Sequence, residues 1–179
     1  FPDSDFNTIK QPIDFVGLNI YQGGVVKAGA DGEPEHVPHA VGHPITCFDW
    51  PVTPAALRWG PYWAHKHFGL PVVITENGLA SMDWVGLDGR VRDGQRIDFT
   101  RQYLLELEKA ISDGTEVDGY FHWSIMDNFE WAEGYRQRFG LTWVDYDTQQ
   151  RIPKDSFHWY GKSIQAGGPL PLPDTSQSE

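Results

Sequence analysis

Residues 71–79, Pro-Val-Val-Ile-Thr-Glu-Asn-Gly-Leu, give the strongest indication of the architecture. The β-branched run Val72–Ile74 is short, apolar and bounded by Pro and Gly, which is typical of a strand covered on both faces. Glu76 stands where the run ends, and Asn77-Gly78 turns the chain away. Because parallel α/β proteins place their chemistry at the C-terminal ends of strands, Glu76 is a candidate nucleophile, base or metal ligand. The alternative is a strand-ending carboxylate that simply faces water.

Two other apolar runs also end in polar and aromatic side chains. Residues 12–21 close with Asn19 and Tyr21, and residues 119–125 open into a segment rich in acidic and indole groups. Sugar C–H groups pack flat on aromatic faces, while carboxylates accept hydrogen bonds from sugar hydroxyls. The three strand ends therefore indicate a carbohydrate site. The acidic and indole segment contributes Trp123, Asp127, Asn128, Glu130, Trp131 and Glu133.

Four motifs, in order along the chain, are similar to those of one known family. They are DFVGLN-x-Y, VVITENG, GYFHWSIMDNFEWAEGY and RFGLTWVDYDTQQRIPKDSFHWY, and together they extend from Pro12 to about Ser163. On these residues the chain resembles the family 1 retaining β-glycosidases. The resemblance implies a (β/α)8 barrel that hydrolyses small β-glycosides.

The chain is shorter than the barrel that the resemblance implies. A (β/α)8 barrel takes about 250 residues, whereas this chain has 179. Compared with the family, it contains only the sixth, seventh and eighth strands, at Ile13–Ile20, Val72–Glu76 and Val117–Ser124. We therefore expect the C-terminal part of an α/β barrel over residues 1–166 and a flexible tail over 167–179.

The resemblance also implies catalytic roles. A retaining glycosidase uses one carboxylate as nucleophile and a second carboxyl group as acid and base. Glu76 corresponds to the nucleophile, Tyr21 to the phenol that orients it, and Asn19 to an amide near the sugar 2-hydroxyl. The family's acid/base Glu lies in a Thr-x-Asn-Glu-Pro motif that this chain lacks, and Glu33 is interpreted as a solvated loop residue. We therefore expect the chain to be inactive without the N-terminal half of a barrel.

The remaining residues implied by the resemblance bind the glycone. Trp123 would form the platform under the sugar ring, with Glu130 on the 4- and 6-hydroxyls and Trp131 on the 3-hydroxyl. Phe139 would close the outer edge, and Trp50 would contact the far side of the substrate. A carboxylate at position 130 repels a phosphate dianion, so we expect non-phosphorylated glucosides, galactosides or fucosides as substrates.

Composition is that of a globular protein and disfavours some partners. The formal net charge of −11 disfavours nucleic acid and anionic membranes, and the 40% of hydrophobic residues include no membrane-spanning run. No metal-ligand spacing stands out, and we expect neither a metal nor a cofactor. The single Cys47 excludes an internal disulfide and is interpreted as a packing residue. The expected location is the cytoplasm.

The intervening segments predict one long loop and two helices. Residues 22–51 are rich in Gly and Pro and predict a structureless loop at the mouth of the site. Thr53-Pro54 predicts the start of a helix that is kinked at Gly60-Pro61 and ends at Gly69. Residues 94–113 predict a second, amphipathic helix. Its apolar stripe consists of Ile97, Thr100, Leu104, Leu107 and Ile111.

Three hypotheses stay open at this point. In the first, the chain is the C-terminal part of a β-glycosidase that is active with its complement. In the second, it belongs to a sugar-binding relative that has no working acid/base Glu. In the third, it is a structural half-barrel that self-associates through unpaired strand edges. Activity on a chromogenic glucoside and the size of the particle in solution distinguish them.

Overall fold

A parallel three-stranded sheet forms the centre of the protein. The computed structural model describes residues 2–173. Strands of the central sheet follow the order β1-β4-β5, and two antiparallel pairs, β2–β3 and β6–β7, lie outside it. The strands are β1 (Val16–Asn19), β2 (Val25–Ala28), β3 (Pro34–Val37), β4 (Val72–Asn77), β5 (Val117–His122), β6 (Thr142–Val144) and β7 (Arg151–Pro153). The helices are α1 (Asp3–Ile9), α2 (Ala56–Phe68), α3 (Gly94–Ser112) and α4 (Asp155–Ala166), with a 3-10 turn at Trp131–Glu133.

The three strands predicted from the motifs form the central sheet. β4 lies in the middle and pairs in parallel with both β1 and β5. The outer strands are shorter than predicted, because β1 begins at Val16 rather than Ile13 and β5 ends at His122 rather than Ser124. The predicted α/β class with a parallel sheet is confirmed.

The core lies on the side of the sheet that α2 and α3 cover. Val72 and Ile74 of β4 are fully buried there, against Leu57 of α2 and Phe99 and Tyr103 of α3. The two α3 rings stack with their centroids 4.0 Å apart. Full burial of one such side chain stabilises a fold by about 1.5–3 kcal/mol, so this layer fixes both helices on the sheet.

The predicted amphipathic helix is confirmed as α3, but not every residue of the predicted apolar stripe is buried. Ile97, Thr100 and Leu107 are buried as predicted. Ile111 is 50% exposed, so its assignment to the buried stripe was wrong. The reason is a rotation of the buried face, which is centred on Tyr103 and leaves Ile111 at its margin. The other buried residues of this face are Arg96, Phe99 and Ala110.

The segment between β1 and α2 is more ordered than the sequence predicted. Residues 22–51 are not structureless, because they contain the β2–β3 hairpin and a bridge between Ile45 and Pro51. Cys47 is exposed, so the prediction of a packing residue was wrong. It lies in the turn that the Ile45–Pro51 bridge closes, and although its N–H donates to the carbonyl of buried Ala80 at 3.3 Å, the residue itself remains exposed.

Helix α2 begins later than its sequence signal. The Thr53 hydroxyl accepts a hydrogen bond from the Gly23 N–H at 2.8 Å and does not cap the helix, which starts at Ala56. The helix continues through Pro61, so the proline does not end it. Gly69 ends it as predicted, with a left-handed φ of 64°.

The other face of the central sheet is open. Phe15, just before β1, and Phe121 of β5 are 48% and 62% exposed, and Thr75 of β4 is exposed with them. β1 and β5 are the outer strands of this sheet, and within residues 2–173 each of them pairs on one side only, with β4. Interior positions of a closed barrel would carry side chains of this kind.

The first part of the predicted tail lies against the helices. The Leu170 carbonyl accepts from Arg101 at 3.1 Å, and the Pro171 carbonyl accepts from the indole of Trp159 at 3.3 Å. Residues 174–179 of the tail prediction lie outside the described residues, and tail flexibility stays a prediction. No helix within residues 2–173 has the length and apolar character to cross a membrane.

Candidate active site

A bulge in β4 places Glu76 at the open face of the sheet. Asn19 of β1 pairs with Glu76, one residue later on β4 than the preceding pairs require, so Thr75 is an extra residue. Ile74 and Asn77 are both fully buried although they are three positions apart, a spacing that in a regular strand gives opposite faces. The extra residue therefore allows Thr75 and Glu76 to lie between them, away from the helices.

Tyr21 and Glu76, predicted as a pair, are in direct contact. The Tyr21 hydroxyl donates a hydrogen bond to Oε2 of Glu76 at 2.6 Å. Burial, and then this bond, raise the pKa of Tyr21 well above its usual range, so the phenol stays protonated. The Tyr21 carbonyl accepts from the Tyr103 hydroxyl at 3.0 Å, which ties the phenol to the helix layer. Among the described residues, Oε1 of Glu76 has no hydrogen-bond partner.

Asn19 lies beside this pair. Its Oδ1 accepts a hydrogen bond from the Thr75 hydroxyl at 2.6 Å, across the β1–β4 pairing. Asn19 is exposed at the open face, next in register to Glu76. The amide is therefore oriented by the strand that also carries the carboxylate.

Aromatic rings form a wall around Tyr21. Trp50 lies 5.1 Å from Tyr21 between ring centroids, and Phe139 lies 6.0 Å from it, edge to face. Phe48 stacks on Trp50 at 4.5 Å. Phe139 is only 3% exposed, so it lies inside the wall and not at an exposed outer edge. The structure thus brings Trp50 and Phe139 to the Tyr21–Glu76 pair.

The end of β5 brings Trp123 and Glu130 together. Trp123 is half-buried, and its Nε1 donates to Oε2 of Glu130 at 3.4 Å. The Trp123 N–H donates to the Asn77 carbonyl at 2.8 Å, which joins this strand end to the one that carries Glu76. Trp123 and Glu76, which come from separate motifs, thus lie at the same end of the sheet.

Trp131 is the most exposed of the predicted aromatic site residues. It lies in the 3-10 turn at Trp131–Glu133, has a φ of 42°, and is 82% exposed. The structure therefore places its indole at the surface of the loop after β5, one residue beyond Glu130. Within the described residues, its indole has no hydrogen-bond partner.

Asn77 is a structural residue that the sequence prediction treated only as part of a turn. Its side-chain amide donates to the Ile20 carbonyl at 2.8 Å, and its Oδ1 accepts from the Tyr120 hydroxyl at 2.8 Å. One buried side chain thus connects the ends of all three strands. An amide directly after Glu76, at the end of a buried apolar run, is the signal that could have identified it.

A buried ionic cluster also escaped the sequence prediction, which named Asp127 only as part of an acidic and indole segment. Its ion pairs join α3, α4 and the loop after β5, and no local spacing marks residues so far apart in the chain. Within residues 2–173, no group of three or more His, Cys, Asp and Glu side chains is arranged to hold a metal ion. The cluster consists of Asp83, Asp93, Arg96, Asp127, Arg138 and Lys154.

His122, at the end of β5, is a further ionisable group, and both of its ring nitrogens are buried. Neither ring nitrogen has a hydrogen-bond partner among the described residues. Burial, and then the nearby charges of Arg96 and Lys154, lower the pKa of His122 to about 3. The ring is therefore neutral at ordinary pH, and His122 directly precedes Trp123 in the chain.

A carboxylate held by a phenol, walled by aromatic rings at the end of parallel strands, is the kind of site that glycoside hydrolases use. Residues 1–169 match the family described as Glycosyl hydrolase family 1. The match covers most of the chain, and the chain belongs to this family. The resemblance seen in the four motifs is confirmed.

Individual relatives agree with the family match. β-Glucosidase A of Thermotoga maritima is 43% identical over 165 residues, which are 92% of this chain and 37% of the relative. A bifunctional β-D-glucosidase/β-D-fucosidase of Bifidobacterium breve is 43% identical over 182 residues, covering 90% of this chain and 39% of the relative. The chain therefore spans under two fifths of the length of these relatives.

Solved structures show the same partial match. The T. maritima β-glucosidase in complex with glucoimidazole has a TM-score of 0.83 and 43% identity, over 92% of this chain and 37% of that one. Another structure of a T. maritima β-glucosidase contains noeuromycin. The chain thus has the fold of part of a family 1 barrel, and relatives bind glucoside-like ligands.

Proposed function

We propose that the chain is part of a retaining β-glucosidase in which Glu76 is the catalytic nucleophile. The observation that carries this proposal is the 2.6 Å hydrogen bond from Tyr21 to Glu76 at the end of a parallel strand. The phenol holds one carboxylate oxygen, which leaves the other to attack an anomeric carbon. Oriented nucleophiles of this kind contribute through positioning, since the attacking atom is already in place.

The mechanism has two displacements. In the first, Glu76 bonds to the anomeric carbon while the bond to the leaving oxygen breaks, and a carboxylic acid protonates that oxygen. In the second, the same acid, now a base, removes a proton from water, which attacks the anomeric carbon and releases Glu76. Tyr21 stays uncharged throughout and donates to the nucleophile whenever the carboxylate is free. Asn19, Trp123, Glu130 and Trp131 bind the glycone.

We assign the acid and base to the part of the protein outside this chain. The chain would supply strands six to eight of a (β/α)8 barrel. The open face with Phe15 and Phe121, together with the free sides of β1 and β5, is where the other strands would close the barrel. We call this chain together with the rest of that barrel the assembled enzyme.

The proposed glycone is not phosphorylated. Glu130 presents a carboxylate within 3.4 Å of the Trp123 indole, which is the proposed platform for the sugar. A negative charge at this point would repel a phosphate at the sugar 6-position. Glucosides, galactosides and fucosides remain as candidate substrates.

Covalent labelling tests the proposal. The assembled enzyme is incubated with a 2-deoxy-2-fluoro β-glucoside, digested, and its peptides are weighed by mass spectrometry. Fluorine next to the anomeric carbon slows both displacements, so a good leaving group allows the glycosyl-enzyme to accumulate. The expected result is one glycosyl group on the peptide that contains Glu76.

Two variants make the labelling specific. Glu76→Gln should take no label, while Glu116→Gln, at an exposed glutamate, should be labelled like the parent enzyme. A label on the peptide that contains Glu130 or Glu33 would contradict the assignment of the nucleophile. A folded assembly that binds glucose analogues but neither hydrolyses nor takes the label would instead be a sugar-binding protein.

A further inference from the structure

One loop carries two of the proposed glycone residues and one residue of the aromatic wall around Tyr21, and its two ends meet. Residues 128–139 leave the end of β5 and return to the same place before β6. The returning end is paired with the outgoing one, since the Ser124 N–H donates to the Phe139 carbonyl at 3.3 Å and the Leu141 N–H donates to the Ser124 carbonyl at 2.9 Å. The residues carried by this loop are Glu130, Trp131 and Phe139.

The Asp127 carboxylate closes this loop. Its side chain is fully buried and accepts hydrogen bonds from the Gly140 N–H at 3.0 Å and from the Val144 N–H at 3.4 Å. Arg138 donates to Oδ2 at 2.5 Å, and Lys154 donates to Oδ1 at 2.9 Å. One carboxylate thus binds two backbone amides and two cations, all on the returning side of the loop or beyond it.

Close backbone contact and buried charges around Asp127 leave its carboxylate and the loop ends little room to move. A Cβ on Gly140 would lie 2.1 Å from the Asp127 nitrogen, so the two backbones touch. Lys154 is fully buried, and burial lowers its pKa, so its charge depends on Asp127 and Asp83. Removing one partner of a buried ion pair leaves an uncompensated charge, which is strongly unfavourable. A change at Asp127 should therefore move the loop and not merely remove one bond.

We propose that Asp127 is a positioning residue for glycone recognition. Its carboxylate fixes the distance between the two ends of the 128–139 loop, and thereby fixes Glu130 against Trp123 and Phe139 against Tyr21. The inference rests on the proposed function, because Glu130 is assigned there to the 4- and 6-hydroxyls. Its effect is exerted through Glu130, and Asp127 itself, being buried, does not touch the sugar.

The test compares two substrates that differ at the group Glu130 binds. β-D-Fucosides lack the 6-hydroxyl and carry an axial instead of an equatorial 4-hydroxyl, so both groups assigned to Glu130 are altered, and they lose less than β-glucosides when Glu130 is displaced. In the assembled enzyme, Asp127→Asn should lower kcat/KM for p-nitrophenyl β-glucoside by about tenfold more than for the β-fucoside. In an enzyme that already carries Glu130→Ala, the same change should no longer alter the ratio between the two substrates.

A second variant covers the case in which Asp127→Asn does not fold. Arg138→Gln removes one cation from the same carboxylate at a site that is 18% exposed, and the fold should tolerate it better. It should shift the glucoside/fucoside ratio in the same direction. Asp147→Asn, in the exposed turn before β7, is the matched control and should leave the ratio unchanged.

Two results would overturn the inference. One is an equal loss on both substrates in Asp127→Asn and Arg138→Gln, which indicates a general effect on folding. The other is a ratio shift that persists in the Glu130→Ala background. A parent assembly without activity on either glycoside is a different failure, because it contradicts the proposed function and not the role of Asp127.

Discussion

At the level of single residues, the contact between Tyr21 and Glu76 was predictable and the buried charges were not. Both residues end apolar runs, and the ends of neighbouring parallel strands meet at one edge of a sheet, so their proximity follows from local patterns. Asp83, Arg96 and Lys154 belong to a loop, a helix and a helix start. Their pairing depends on how distant segments pack, which no local spacing records.

Tyr21→Phe should lower kcat/KM of the assembled enzyme by about ten- to a hundredfold. The change removes the hydrogen bond to the nucleophile, and bonds to charged groups contribute about 1.5–3 kcal/mol. Steady-state kinetics on p-nitrophenyl β-glucoside measures it. Tyr62→Phe, on the outer side of α2, is the matched control and should be silent. A Tyr21→Phe enzyme with parental kinetics would show that the phenol does not orient Glu76.

His122 predicts how stability depends on pH. Its pKa of about 3 in the folded state lies below the ordinary value of 6.5, so between these values the unfolded chain binds a proton that the folded chain does not. The free energy of unfolding is therefore not reduced by His122 above about pH 6.5, and it falls as the pH is lowered from there towards 3. His122→Gln should remove this part of the acid sensitivity, about 3 kcal/mol between pH 7 and pH 4.

The measurement is the free energy of unfolding of the assembled protein in urea at several pH values. Carboxylates titrate in the parent and the variant alike, so the difference between their two curves isolates His122. The exposed His158→Gln variant should follow the parent curve. Parallel curves for the parent and His122→Gln would mean that the ring is hydrated or paired in the folded protein.

At the level of elements, the strands and α3 were predictable from apolar patterns, whereas the β2–β3 hairpin was not. All but one of the eight hairpin residues are exposed, so they show no alternation of apolar and polar side chains. The site itself depends on close approach between elements. A Cβ on Gly78 would lie 1.9 Å from the Trp123 carbonyl oxygen, so the ends of β4 and β5 are in backbone contact.

Gly78→Ala should reduce activity far more than it reduces helix content. The added methyl group has no space, so it must push Trp123 away from the strand end that carries Glu76. We expect a loss of kcat/KM of about a hundredfold or more, as misplacement by about 1 Å produces elsewhere. Gly161→Ala, in α4 with open space around it, should keep full activity and stabilise by about 0.5–1 kcal/mol.

Circular dichroism and kinetics on the same samples separate the two effects. A Gly78→Ala enzyme with parental kcat/KM would show that β4 and β5 can move apart without disturbing the site.

At the level of the whole molecule, the sheet has an open face and two free edges within the described residues. Apolar side chains such as Phe15 and Phe121 are exposed on that face. Unpaired edges template association with another chain. The sequence indicated this incompleteness through length and the missing Thr-x-Asn-Glu-Pro motif, but it could not indicate which surface would be left open.

The chain alone should therefore be oligomeric or poorly folded, and inactive on p-nitrophenyl β-glucoside. General acid catalysis is typically worth about 10²–10⁴ in rate, and its carboxyl group is assigned elsewhere. Adding a barrel half that carries the Thr-x-Asn-Glu-Pro motif should restore hydrolysis. Sedimentation of the pure chain and one chromogenic assay measure both outcomes. A compact, active monomer of this chain would contradict the assignment of the acid.

The bulge at Thr75 has a consequence for the stereochemistry of the product. Thr75 is the extra residue in the β1–β4 pairing, so deleting it would leave Glu76 opposite Asn19 but remove the bend that a bulge gives to the strand. Retaining glycosidases hold their carboxyl groups about 5–5.5 Å apart and inverting ones about 6.5–9.5 Å, which leaves room for a water molecule. In the proposed enzyme, a change in the course of β4 that moved Glu76 by about 1 Å or more from the acid would therefore change which anomer of the sugar is released.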